Sequence, residues 1–195
     1  MQNSSNSTKL VIVIVLILVS ALYRLFPHPY NFAPITGMAL LSGAFLKDKR
    51  VFAVLLPLVA LFVTDVILNN TLYKGFYADQ GFVLFQPYMI ATYFSLILMV
   101  IIGASMKKIK FFAVLGASLF SSVLFFVITN FASWLQIPIY PKNMAGLMEC
   151  FIAGIPFFPF TLLGDVVFSL ALFGIAMFAL KVIRDHLESF HKEIA

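Results

Sequence analysis

The chain has 195 residues, of which 62% are hydrophobic and 11% charged. Soluble domains carry roughly 45–50% apolar and 25% charged residues, so the balance excludes an ordinary water-soluble domain and predicts a polytopic membrane protein, one transmembrane domain over residues 1–195. The net charge of +5 would suit nucleic acid only as a contiguous basic surface, and its distribution along the chain argues against that.

An apolar run of about 20 residues crosses a bilayer core of about 30 Å at 1.5 Å per residue. A polar tail, MQNSSNSTK, precedes the first run, residues 9–26, which has no small-residue cleavage site and is expected to remain as a helix. A proline-bounded loop, PHPYNFAP, leads to a shorter run at 35–46, closed by KDKR. Further runs follow at 51–68, at 87–106 (closed by KKIK), at 111–131 and at 160–183, the last continuing into a mixed-charge tail. The apolar segment around 144–155 is too short to span and is predicted as a half-helix on the outer side before helix 6. The fold class expected is therefore all-α, with six transmembrane helices.

The basic residues test that count, because cytoplasmic loops concentrate Lys and Arg. With both termini cytoplasmic, ten of the 13 fall inside and only Arg24, Lys74 and Lys142 fall outside. A seventh span would weaken the bias. The positive charge is a topology signal, and the expected location is the bacterial inner membrane. Small residues recur at packing spacing in Ala39 and Gly43, in Gly103–Ala104 and in Gly116–Ser118, the pattern by which membrane helices approach closely.

The stretch from Thr129 to Asp165 concentrates the unusual residues. It holds the only Trp, Trp134, the only Cys, Cys150, four of the nine prolines, and the carboxylates Glu149 and Asp165. Non-helical backbone and ionisable groups survive at membrane depth only where protein buries them or water reaches them. The stretch reads as the wall and lid of a cavity, with the chain broken at Pro156 and Pro159 above Asp165. Arg24, Asp65, Asn130, Trp134 and Asp165 are predicted at similar depth. The loop residue Asn31, with Tyr140 and Cys150, completes the candidate ligand-binding set. Arg24 is expected to pair with Asp65 or Asp165, either as a lock between helices or with one member facing a ligand. Trp134, Tyr140, Tyr30 and Tyr88 form either an interfacial belt or a stacking wall for a flat heterocyclic ligand. Cys150 is either a small buried hydrophobe or a ligand contact. The sequence has no nucleotide-binding loop, no zinc-protease motif and no nucleophile elbow, and no span contains a His. No enzymatic activity, metal or cofactor is expected.

The run RLFPHPYNFAPITGMALLSGAFL, then TDVIL, TNFASWL and GLMECFIAGIPFFPFTLLGD, resembles an uncharacterised group of small bacterial membrane proteins. Through its layout it also resembles the substrate-binding (S) components of energy-coupling-factor vitamin transporters. That resemblance implies capture of a vitamin or precursor from the outer face, with a transmembrane coupling protein and ATPases as partners. The pattern departs from those components in helix 1, where their alanine-x-x-x-alanine docking motif is reduced to Ser20 and Ala21. The competing expectations are a structural scaffold protein and an intramembrane enzyme acting on a lipid or cofactor precursor.

Overall fold

A computed structural model describes residues 2–194; Met1, Ala195 and the side chain of Lys192, counted above, lie outside the described residues. The described chain is helical, with no strand. The helices are α1 (Gln2–Tyr23), α2 (Ile35–Phe45), α3 (Arg50–Asn70), α4 (Tyr88–Ser105), α5 (Phe111–Gln136), α6 (Met144–Gly154) and α7 (Phe158–Ile194). Short 3-10 turns lie at Lys74–Gln80 and Ile155–Phe157.

Four helical stretches are long and apolar enough to cross a membrane: Arg50–Asn70, Tyr88–Ser105, Phe111–Gln136 and Met144–Phe190. Their outward faces carry large apolar side chains such as Phe52, Val59, Phe94, Phe120 and Phe178. That is the surface a bilayer covers, and the protein is a membrane protein. The other two predicted spans correspond to shorter apolar helices, Ser7–Tyr23 and Ile35–Phe45.

α2 is short because it is enclosed. With 11 residues it is about 16 Å long, roughly half a bilayer core, and every residue from Thr36 to Gly43 is buried. It touches α1, α3, α4, α5 and α7. The loop before it dips into the bundle, where Phe32 and Ala33 pack on Gly164, inside α7. Irregular backbone is tolerated at membrane depth where protein surrounds it. The tightest crossing is α2 on α4. A Cβ on Gly43 would lie 2.0 Å from the Val100 carbonyl oxygen, and one on Gly103 would lie 2.3 Å from that of Leu40. These glycines fulfil the expected close approach, whereas Gly116 meets no neighbour within 4 Å.

One expectation fails in α6 and α7. Pro156 and Pro159 do not break the chain. Gly154, Ile155 and Phe158 all keep right-handed helical dihedrals, so Met144–Phe190 is one helical rod with a 3-10 turn in it. Proline is tolerated in the first turn of a helix, where its missing N–H has no intrahelical partner. The rod runs antiparallel to α5, with Gly154 against Asn130, Phe158 against Phe126 and Asp165 against Ser122. The half-helix is therefore an extension of α7 along α5.

Candidate functional site

Two carboxylates are buried among the helices, Asp65 at 3% exposure and Asp165 at 4%. Their surroundings differ. Asp65 Oδ1 accepts a charged hydrogen bond from Arg24 Nη2 at 2.6 Å, and its Oδ2 accepts one from the Tyr93 hydroxyl at 3.0 Å. Arg24 Nη1 also donates to Thr64 Oγ1 and, at 3.4 Å, to the Leu61 carbonyl. The chain after α1 is thereby tied to α3, and α3 to α4. Of the two partners expected for Arg24, Asp65 is the one it takes.

Asp165 has no such partner. Among the described residues the ion pairs are Arg24–Asp65 and Arg184–Asp185, so none reaches Asp165. Its Oδ2 accepts from Ser122 Oγ at 2.7 Å, and the carboxylate also accepts a hydrogen bond from the Thr36 hydroxyl. The Ser122 hydroxyl is also 3.0 Å from the Ser118 carbonyl oxygen, and a hydroxyl has one hydrogen to donate. Around this pair the hydroxyls of Ser118, Ser121 and Ser169 are buried with no hydrogen-bond partner in the protein.

Asp165 borders a cavity of about 140 Å³, walled also by Arg24, His28, Thr36 and Tyr73. A second chamber of about 280 Å³ shares Asn31, Phe125 and Thr161 with it and adds Tyr88, Asn130, Ser133 and three phenylalanines. Asn31 takes φ 60° in a tight turn closed by the Phe32 N–H to the Pro29 carbonyl at 3.1 Å. Asn is among the few non-glycine residues that adopt this conformation readily. His28 stacks on Tyr23 with ring centroids 5.4 Å apart, and its Nδ1–H donates to the Pro29 carbonyl at 2.9 Å. Burial raises the Tyr73 phenol above its ordinary pKa, with Tyr30 adding to the effect, so at neutral pH its hydroxyl is a hydrogen-bond donor. An almost wholly apolar groove of about 480 Å³ adjoins the larger chamber at Ala91, Ala132 and Gln136.

The structure divides the predicted set. Arg24, Asn31, Asn130 and Asp165 border the two chambers. Asp65 stands one step behind, holding Arg24. Trp134, Tyr140 and Cys150 border neither chamber. The Trp134 indole N–H donates to the Pro141 carbonyl at 2.9 Å, and its ring lies under the Lys142 ammonium. The loop after α5 holds it in place. The Cys150 thiol is buried and donates to the Asn130 carbonyl at 3.4 Å, a packing contact between α6 and α5. Sequence reasoning missed Thr36, Ser122 and Tyr93. Thr36 and Ser122 are hydroxyls within apolar runs, a pattern that commonly satisfies the helix's own carbonyls, and Tyr93 reads as one more aromatic on a spanning helix. Only the crowding of Ser118, Ser121 and Ser122 within one turn of α5 hinted at a polar seam.

These features define an all-helical membrane protein with a partly polar cavity among its helices. The chain belongs to a family of unknown function, DUF6580, whose sequence profile matches residues 4–187. Neither the curated proteins nor the solved structures give a match.

Proposed function

We propose that the protein is a membrane substrate-binding or transport protein that captures a small organic molecule, a vitamin or precursor, from the outer face. One observation carries this reading. Two adjoining chambers, of about 140 and 280 Å³, lie among membrane helices and are bordered by Arg24, Asn31, Asn130 and Asp165. Small-molecule sites are concave, mostly apolar, and carry a few convergent polar groups. Ionisable residues inside membrane bundles mark ligand or ion pathways by default. A scaffold protein has no need for such space.

In this reading α1 to α5 and the α6–α7 rod make six crossings, with α2 and its in-dipping loop together counting as one. Both termini are cytoplasmic in a bacterial inner membrane, which puts the chambers on the outer side. The resemblance to energy-coupling-factor S components supports the same role. A transmembrane coupling protein with ATPases then drives release, unless the protein acts alone. Thermal-shift measurements on purified protein, against a panel of vitamins and precursors, test the proposal, together with mass spectrometry of co-purifying small molecules. At least one compound should raise the unfolding midpoint in a dose-dependent way. A silent panel with nothing co-purified overturns the reading.

A further inference from the structure

We infer that the ligand of this site is a small organic cation and that Asp165 is the residue that reads its charge. The inference rests on the binding role proposed above and names the ligand's chemical class. Its first support is a charge count. The buried charged groups lining the small chamber are Arg24 and Asp165, with Asp65 behind Arg24. Arg24 and Asp65 neutralise one another at 2.6 Å, leaving one carboxylate without a counter-charge among the described residues. A lone buried carboxylate is strongly disfavoured unless a proton or an opposite charge compensates it. The protein offers Asp165 two neutral hydroxyls, Ser122 and Thr36, and that of Ser122 also lies within reach of the Ser118 carbonyl.

The second support is shape and lining. A dry cavity of about 150 Å³ holds benzene, so the chamber of about 140 Å³ beside Asp165 accepts one ring or a compact alkyl group. Beyond Asn31, the larger chamber is walled by Phe125, Phe126, Phe157, Phe158 and Tyr88. Aromatic faces attract cations as well as apolar bodies. An anionic ligand is less well served, because the charge of the Arg24 guanidinium is already neutralised by Asp65 and three of its N–H groups are engaged by Asp65, Thr64 and Leu61. Binding of a cation would supply the charge that Asp165 lacks, and a neutral isostere would not.

The experiment uses three probes of one shape and different charge, benzylamine, benzyl alcohol and benzoate, at millimolar concentration against the purified full chain. The readout is the thermal unfolding midpoint, which rises when a ligand binds only the folded state. Benzylamine should raise the midpoint by about 2 °C or more, with a much smaller rise for the other two. In Asp165→Asn, benzylamine and benzyl alcohol should become equivalent. In Ser122→Ala, which keeps the carboxylate, the preference for benzylamine should persist. Equal shifts from benzylamine and benzyl alcohol in the unaltered protein overturn the cation assignment and leave a binding site in place. A preference that survives Asp165→Asn overturns the role of Asp165. A larger shift with benzoate overturns the ligand class. No shift with any probe overturns the inference, and if the vitamin panel is also silent, the binding role falls with it. Should Asp165→Asn not purify, the charge series in the unaltered protein and in Ser122→Ala decides the matter.

Discussion

Asp65 and Asp165 are buried to the same degree, on α3 and α7, yet one is enclosed by partners and the other is left with hydroxyls. At Asp65, a guanidinium and a phenol occupy both carboxylate oxygens, and Thr64, one residue earlier, holds the guanidinium from its other side. At Asp165, the hydroxyls of Ser122 and Thr36 face the carboxylate, buried serine hydroxyls without a partner lie on α5 and α7 at Ser118, Ser121 and Ser169, and a cavity opens beside it. Burial alone therefore does not distinguish a carboxylate paired inside the protein from one left without a counter-charge. What distinguishes them is whether the protein itself completes the charge.

The comparison breaks most severely at Arg24. Removing one member of a buried pair leaves an uncompensated charge and costs about 3–5 kcal/mol. Arg24→Ala should lower the unfolding midpoint far more than Lys142→Ala, whose ammonium is exposed and bonds only to the Trp134 and Ile137 carbonyls. Equal losses in the two variants, measured by scanning fluorimetry in one detergent, would remove the Arg24–Asp65 lock from the account.

Gly43→Ala should come next. The added methyl would sit on the Val100 carbonyl oxygen, and overpacking of this kind costs about 1–3 kcal/mol. Because α2 carries Thr36 into the wall of the small chamber and follows the loop that holds Asn31, the same variant should weaken ligand binding. Gly116→Ala, which meets open space, should change neither; an effect there as large as at Gly43 would show that α2–α4 packing does not position the site.

Tyr93→Phe removes one hydrogen bond to the Asp65 carboxylate, for which about 1.5 kcal/mol is expected. The smallest effect falls on Trp134→Phe, which loses a hydrogen bond at the exposed end of α5, about 0.5 kcal/mol. Ligand binding should leave Trp134 emission nearly unchanged, since the indole borders neither chamber; a large quench on binding would move the site toward the loop after α5.

The helices were legible because hydropathy and basic punctuation act over 20 residues at a time, and the six apolar runs all became helices. The pairing of Arg24 with an aspartate was legible for a related reason, since ionisable groups in an apolar chain have few partners to choose from. The choice between Asp65 and Asp165 was not, because it depends on the rotation of α3 and α7 about their axes. Trp134 misled by being unique: its rarity marked it for a site, while its position at the end of α5 left it with the Pro141 carbonyl. The prolines at 156 and 159 misled in the same way. In the first turn of a helical segment a proline is tolerated without breaking the rod, and composition alone does not separate the two outcomes. Thr36 and Ser122 were hidden, because a hydroxyl inside an apolar run commonly satisfies its own helix.

The central claim is that the protein completes the charge of Asp65 and leaves that of Asp165 to a ligand. The most direct measurement is the thermal unfolding of Asp65→Asn and Asp165→Asn, side by side and without ligand. Asp65→Asn strands the Arg24 charge and should lower the midpoint by the equivalent of about 3–5 kcal/mol. Asp165→Asn keeps an oxygen for Ser122 to donate to and removes an uncompensated buried charge, so its midpoint should stay level or rise. A loss at Asp165→Asn as large as that at Asp65→Asn would contradict the account, because it would make both carboxylates parts of the same structural lock.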